Sequence, residues 1–174
     1  MLKLSNSFKN ISVMSLRTGA PVAKVLTPII DPNNLKIEGF YCADSISRNK
    51  LVLLVQDIRE QSNLGFIVND HDVLTDPKDL IRLKSVMELN FVVTDKAVHT
   101  TDKKRLGKVT DYAVDISSMY IQKIYVGQSV LKSFSGGQLS IDRSQITEVT
   151  NSKIVVNDPL QGKQIPLGSA VPVA

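Results

Sequence analysis

The chain repeats part of itself at a fixed spacing, and this repeat constrains the fold more than any other feature. Shifted by 84 positions, the sequence matches itself without gaps over about twenty residues. Val22–Val25 falls on Leu106–Val109, and Ile29–Asp31 falls on Ala113–Asp115. Three later positions also match: Ile37 with Ile121, Phe40 with Ile124 and Tyr41 with Tyr125. Each block has the pattern strand, turn, strand, which predicts two copies of one β-rich unit.

Turn-forming residues separate the strands of both copies. Asp31–Asn34 supplies an acidic first position, a proline with preset φ and asparagines that tolerate left-handed backbone. Asp115–Ser118 occupies the same place in the second copy. Short strands with turn signals every 8 to 15 residues are typical of a small barrel or sandwich.

A second self-match lies downstream, at a spacing of 73. It places Phe66–Val68 on Leu139–Ile141. The shorter spacing implies that the first copy carries eleven extra residues between Tyr41 and Phe66. Those residues include the apolar run Leu51–Val55, so we expect them to lengthen a hairpin.

A short helix is predicted between the copies. Asp76 fits an N-cap and Pro77 fits the first helical position. Leu80, Leu83 and Met87 fall on one helical face. The predicted organisation is a first barrel-like domain, a connecting helix, a second barrel-like domain and a tail with proline and glycine: residues 1–78, 79–88, 89–157 and 158–174.

Two segments resemble the PRC-barrel family. They are Gly19–Val25 and Lys104–Asp115, and the second is similar to the family's core pattern of Gly-Lys, Val and two spaced aspartates. The resemblance spans roughly residues 5–78 and 88–157 as two tandem copies. The first copy departs from the pattern, with Ala23 in place of the glycine and Thr27 in place of the first aspartate.

This resemblance implies a mainly β fold of two tandem small PRC-type β-barrels joined by a short helix. Relatives include the cytoplasmic domain of the photosynthetic reaction-centre H subunit and the C-terminal domain of a ribosome maturation factor. The family implies an adaptor or assembly module without catalytic chemistry of its own. It implies no binding residues that can be transferred position by position.

Composition and cysteine content restrict the compartment. The 174 residues are 43% hydrophobic and 22% charged, typical of a globular domain, with a formal net charge of +4. Cys42 is the only cysteine, so no intramolecular disulfide forms, and we expect it to be a small buried hydrophobe. The sequence has no signal-peptide core and no apolar run of about 18 residues. We therefore expect a cytoplasmic protein without membrane insertion.

No catalytic constellation is evident, so we expect no enzyme, no cofactor and no metal. The densest polar cluster, Asn69–Asp72, is interpreted as a solvated turn before a strand starting at Val73. A metal could use His71 with Asp70 and Asp72, but three adjacent side chains cannot all converge from an extended strand. Ser135–Gly137 is interpreted as a hairpin turn. His99 is expected to point outward from a strand.

Asp111 and Asp115 share a strand face, but nothing in the sequence suggests the raised pKa of an acid–base pair. We interpret them as turn and strand-edge residues. Tyr112, Tyr120 and Tyr125 could stack on bases, although strand tyrosines more often lie in a core.

One local basic cluster stands out, in the turn that opens the second copy. It consists of Lys103, Lys104, Arg105 and Lys108, with Asp102 and Asp111 partly offsetting its charge. If all four cations contacted phosphates, a plot of the logarithm of the binding constant against the logarithm of the salt concentration would have a slope of about −3 to −3.6. These four residues are the candidate nucleic-acid contacts, against the alternative of a solvated turn.

The leading functional hypothesis is a non-catalytic tandem PRC-barrel adaptor that binds another macromolecule, most simply a protein. The alternative is an RNA- or ribosome-associated maturation-type factor, favoured by the basic turn and the sequence pI of 9.2. A sensor that binds a small molecule or ion between the barrels is a third hypothesis, and an enzyme comes last. The sequence does not define the oligomeric state.

Overall fold

The computed structural model describes residues 1–62, 65–127 and 138–158. In these residues thirteen strands pair into one sheet, accompanied by one short α-helix and several 3-10 turns. The strands are β1 (Leu2–Leu4), β2 (Ser12–Ser15), β3 (Pro21–Asp31), β4 (Lys36–Asp44), β5 (Lys50–Leu54), β6 (Ile58–Ser62), β7 (Gly65–Val68), β8 (Ala97–Thr100), β9 (Arg105–Asp115), β10 (Tyr120–Gly127), β11 (Gln138–Asp142), β12 (Ile146–Val149) and β13 (Lys153–Val156). The prediction of a mainly β protein is confirmed.

Both copies have the same strand pairing. In the first copy, β2 to β5 pair in sequence as antiparallel neighbours, and β7 returns to lie parallel to β2 with β6 outside it. The second copy repeats this arrangement with β8 to β13. The ladders of the described residues form one open sheet and do not close each copy into a separate barrel.

The repeat at a spacing of 84 is confirmed by its irregularities. A β-bulge skips Leu26 in β3, and the equivalent bulge skips Thr110 in β9. A second bulge skips Glu38 in β4 and Gln122 in β10. Because a bulge bends a strand and increases its twist, matching bulges give the two central hairpins the same shape.

The second self-match, at a spacing of 73, is wrong. Phe66 lies in the parallel return strand β7, whose counterpart is β13, so Phe66 corresponds to Ile154 and not to Leu139. From β5 onward the spacing is 88, which places four extra residues in the second copy. The error arises because alternating strands give similar hydrophobic matches when paired with the wrong strand. The run Leu51–Val55 does contribute a hairpin arm, since β5 pairs with β4.

The two copies meet at a junction with approximate twofold symmetry. The backbone N–H of Ile37 donates to the carbonyl of Met119 at 2.8 Å, and the N–H of Ile121 donates to the carbonyl of Leu35 at 2.9 Å. The residues of these two bonds are related by the 84-residue spacing. Such reciprocal contacts are typical of the interface of a symmetric dimer, here between two parts of one chain.

Leu35 and Met119 hold this junction in an unusual backbone conformation. Their φ angles are 53° and 58°, in the left-handed region, and both side chains are only 4% exposed. The sequence marks the asparagines of Asp31–Asn34 as residues that tolerate this conformation, but Leu35 adopts it. Asn33 instead donates its backbone and side-chain N–H groups to the Asp31 carboxylate. Left-handed backbone at a residue with a Cβ costs roughly 1–2 kcal/mol, which burial of these side chains offsets.

The segment that leads into each copy crosses to the other copy. β1 precedes the first copy but pairs with β9, joining Leu2 to Asp115 and Leu4 to Ala113. The helix α1 (Lys84–Glu88) precedes the second copy and packs against β3. Buried side chains from both copies form a single hydrophobic cluster.

The first copy's core centres on three aromatic rings. The Phe40 ring lies 4.9 Å from Phe66 and 5.7 Å from Phe8 between centroids. Phe8 is supplied by the chain that leads from β1 to β2, so the crossing segment also contributes to this core. In the second copy, the fully buried Val93 lies at the position equivalent to Phe8.

The connecting segment is helical but broken. The Asp76 carboxylate accepts the Lys78 N–H at 2.9 Å and caps a 3-10 turn that begins at Pro77, as its sequence predicts. Leu80 then leaves helical geometry, with ψ at 66°, so a second 3-10 turn (Ile81–Leu83) precedes α1. The helix that the sequence places over residues 79–88 is therefore reduced to its last five residues.

No helix in the described ranges is both long enough and apolar enough to cross a bilayer. The predicted tail beyond Asp158 lies outside the described residues, as does the predicted turn Ser135–Gly137.

Gly107 provides a test of the second copy's register. Its φ is 156°, and a Cβ placed there would lie 2.0 Å from the carbonyl oxygen of Gly127. We therefore expect Gly107→Ala to lower the free energy of unfolding by about 3 kcal/mol, measured by urea denaturation. Gly19→Ala is the matched control, because Gly19 has a positive φ but no neighbouring atom within 4 Å. Equal losses in both variants would show that the close approach to Gly127 is absent.

Candidate functional site

The predicted basic cluster lies in the turn between β8 and β9. Lys103, Lys104, Arg105 and Lys108 are all exposed. Thr100, which is buried, shapes the turn: its hydroxyl accepts the Lys104 N–H at 3.1 Å, and its carbonyl accepts the Lys103 N–H at 2.9 Å. The cations therefore project from a turn whose backbone is fixed.

None of these four cations belongs to an ion pair within the described part of the chain. The equivalent turn of the first copy differs, because there the Arg17 guanidinium pairs with Asp70. Ser15 takes the place of Thr100 in that turn and accepts the Thr18 N–H at 3.2 Å. The two copies thus share a turn geometry, but the second presents the larger set of unpaired cations.

The cluster Asn69–Asp72 is a turn with exposed ends, Asn69 and Asp72, whose half-buried middle residues bind distant side chains. Asp70 accepts a hydrogen bond from Ser15 Oγ at 3.0 Å, and His71 Nε2 lies 2.8 Å from Asp44 Oδ1. The predicted strand at Val73 is wrong, since Val73 ends a 3-10 turn (His71–Val73). The sequence could not show these contacts because Ser15 and Asp44 lie more than 25 residues away.

Asp44, the carboxylate that contacts His71, is buried and remains ionised. Its Oδ2 accepts both the Ser47 hydroxyl at 2.5 Å and the Ser47 N–H at 2.9 Å. These bonds hold the pKa of Asp44 well below its usual range, with His71 adding a smaller effect. The carboxylate lies between the hydroxyl and the imidazole, so His71 is not placed to activate Ser47 as a nucleophile.

Asp111 and Asp115 both hold the N-terminal segment. Asp111 accepts the Ser5 hydroxyl at 2.5 Å, and Asp115 accepts the Met1 ammonium at 3.0 Å. The hydroxyls of Ser117 and Ser118 also bind Asp115 and, more than the ammonium, lower its pKa. Asp115 ends β9 at the turn, whereas Asp111 lies within that strand, and both residues anchor the segment around β1.

The three tyrosines near the basic turn differ in their surroundings. Tyr112 is buried, and the Arg143 guanidinium covers the Tyr120 ring at 4.2 Å. Tyr125 is half-buried on β10. Of the three, Tyr125 is the one whose ring is neither in the core nor covered by Arg143.

Two other predicted residues are placed as follows. Cys42 is fully buried in β4, as predicted, and burial raises the pKa of its thiol to about 12, so the thiolate is scarce at neutral pH. His99 is half-buried, and its Nδ1 is buried without a hydrogen-bond partner.

Among residues 1–62, 65–127 and 138–158, no three His, Cys, Asp or Glu side chains converge as metal ligands.

A groove on the first copy was not foreseen from the sequence. It has a volume of about 750 Å³ and lies between the β4–β5 region and the connecting segment. Its apolar lining comes from both sides: Leu54, Val55, Leu80, Ile81, Leu83 and Val86. Ile81 is 81% exposed. The one feature of the sequence that indicates this groove is Ile81, an apolar residue that lies off the helical face formed by Leu80, Leu83 and Met87.

Comparison with the equivalent residues of the second copy explains why this groove is open. Val55 corresponds to Arg143 in the second copy, and Lys36 corresponds to Tyr120. Arg143 stacks on Tyr120 and donates to the carbonyl of Asn34 at 2.8 Å, which places a large cation where the first copy has the smaller Val55. The two equivalent surfaces therefore differ in chemistry, one being apolar and the other ionic.

In comparisons with known proteins, the chain matches no protein-family model and no curated protein sequence.

Asp44 yields a prediction about pH. Because its folded pKa is depressed, Asp44 stabilises the fold above the unfolded pKa of about 3.9, and this contribution is lost as the pH falls further. We expect Asp44→Asn to cost about 1–2 kcal/mol at pH 7, and the difference from wild type to shrink below about pH 4. Thermal denaturation at a series of pH values measures it.

The exposed Asp72 in the neighbouring turn provides the control for this experiment. Asp72→Asn should leave stability at pH 7 within about 0.5 kcal/mol of wild type. A loss in Asp44→Asn that stays constant down to pH 2.5 would contradict the ionised role of Asp44.

Proposed function

We propose that this chain is a non-catalytic adaptor or assembly protein, built from two PRC-barrel-type repeats, that binds another protein in the cytoplasm. The observation that carries the proposal is the apolar groove beside Ile81. Its aliphatic side chains form a contiguous apolar surface with Ile81 81% exposed, and such a surface is typical of an interaction site. In each repeat the last strand pairs with the first, β7 with β2 and β13 with β8, and this return supports a barrel-like unit.

The groove suits an extended apolar segment of a partner. Besides its aliphatic side chains, the groove is lined by five charged residues: Asp31, Lys36, Glu38, Asp79 and Arg82. Lys36 and Glu38 pair with each other at 3.2 Å, so the acidic Asp79 and the basic Arg82 remain as the exposed charges of the groove. An apolar surface bordered by polar groups is the arrangement found in protein–protein interfaces, where a few residues give most of the affinity.

Ile81→Asp tests this proposal. It places a charge in the aliphatic lining of the groove, so we expect at least a tenfold loss of affinity for the partner with little change in the unfolding midpoint. Ile46→Asp is the matched control, because Ile46 is 82% exposed but lies in the β4–β5 turn. The partner is first captured from lysate at about 300 mM salt and identified, and its affinity for each purified variant is then measured by calorimetry. Unchanged affinity in Ile81→Asp would refute the groove.

A second candidate function is an RNA- or ribosome-associated maturation-type factor. The unpaired cations of Lys103–Arg105 and Lys108 favour it, because exposed Lys and Arg gain affinity for phosphates by releasing counterions. The variant Lys104→Glu/Arg105→Glu should then weaken RNA binding at least tenfold at about 50 mM salt. Lys9→Glu/Lys78→Glu makes the same charge change elsewhere on the surface and should have a smaller effect. Equal effects of the two double variants would exclude a site at the turn.

A further inference from the structure

The cations of the β8–β9 turn belong to a wider basic face that the sheet assembles. The register of three neighbouring strands places Lys153 of β13, Ala97 of β8 and Lys108 of β9 in one row. Residues in register across adjacent strands share a face of the sheet. Lys153 is exposed and has no ion-pair partner in the described residues, so it extends the predicted cluster beyond the turn.

A second row lies beside the first. Val155, His99 and Arg105 are paired across the same three strands. With strands about 4.8 Å apart, Lys153 and Lys108 are separated by roughly 10 Å of backbone across a face that carries only Ala97 between them. The result is a strip of sheet surface with a lysine on each side.

The face carries a net positive charge. Its five cations are Lys103, Lys104, Arg105, Lys108 and Lys153, and its carboxylates are Asp102 in the turn, Asp111 in register with Tyr125 and Glu148 in register with Val155. The formal balance of these residues is +2. Such a concentration on one face attracts polyanions at moderate salt.

The surface beside Lys108 also offers an aromatic ring. Gly127 of β10 is in register with Lys108 and has no side chain, so the strip stays shallow there. Tyr125 lies two residues along the same strand and therefore on the same face, half-buried. A phosphate backbone over a row of cations with a base against a tyrosine is the arrangement that proteins use for single strands.

We propose that this face, from Lys103 to Lys153 with Tyr125 at its edge, binds the phosphodiester backbone of single-stranded RNA. The inference rests on the RNA-associated candidate function and specifies its site. It is favoured over an acidic protein because Tyr125 can stack on a base while the neighbouring cations meet the backbone phosphates.

Lys153→Gln is the decisive variant, because Lys153 lies about 45 residues from the turn and joins it only through the sheet register. Binding of a fluorescent oligouridylate is measured by anisotropy from about 50 to 200 mM salt. Five phosphate contacts predict a slope of log K against log salt near −3.5, and Lys153→Gln should make it less steep by about 0.7. Lys78→Gln, an exposed lysine on the connecting segment, should leave the slope unchanged.

The outcomes separate this inference from the candidate function. If Lys104→Glu/Arg105→Glu weakens binding but Lys153→Gln does not, the turn binds RNA and the wider face is wrong. If neither variant affects RNA binding, or if the wild-type protein does not bind RNA, the candidate RNA function and the wider binding face are both wrong. Polyglutamate of equal charge that binds as tightly as the oligonucleotide, with the same slope, would overturn the assignment to RNA. Tyr125→Leu should weaken RNA binding by about fivefold or more and leave polyglutamate binding unchanged.

Discussion

The structure depends on a pair of backbone hydrogen bonds where the two repeats meet. Ile37 donates to Met119 and Ile121 donates to Leu35, and each bond is the counterpart of the other under the repeat. To present these carbonyls, Leu35 and Met119 adopt left-handed backbone despite carrying large side chains. That conformation is tolerated because both side chains are buried at the junction. The arrangement is that of a symmetric dimer whose two subunits are joined by a connecting segment.

Once the junction forms, equivalent positions in the two repeats can acquire different chemistry without changing the fold. Val55 leaves a groove open in the first repeat, whereas Arg143 occupies the corresponding place in the second. Arg17 is paired with Asp70 in the first β2–β3 turn, whereas the cations of the second turn face solvent. The proposed protein-binding groove and the proposed RNA-binding face therefore lie on different repeats of one continuous sheet.

The sequence predicted the elements that depend on local pattern. The 84-residue repeat, the mainly β fold, the Asp76 cap and the burial of Cys42 all follow from spacing, turn chemistry or composition, and the structure confirms them. Local pattern could not reveal contacts between distant strands. Phe66 was assigned to the wrong counterpart because hydrophobic alternation does not distinguish one strand from another.

The candidate sites show the same limit. Lys103 to Lys108 were recognisable because they are clustered in sequence, whereas Lys153 joins them only through the parallel pairing of β13 with β8. The groove combines Leu54 and Val55 with residues some 25 positions later, so no linear motif marks it. Asp70 and His71 looked like a solvated turn because their partners, Ser15 and Asp44, are remote in sequence.

The central claim is that the two repeats form one cooperative unit through their shared junction and core. Differential scanning calorimetry of the whole chain tests it most directly. A single transition, with equal calorimetric and van't Hoff enthalpies, is the result that a shared core predicts. Two separate transitions, each carrying about half of the total enthalpy, would contradict the claim and show that the repeats are independent domains.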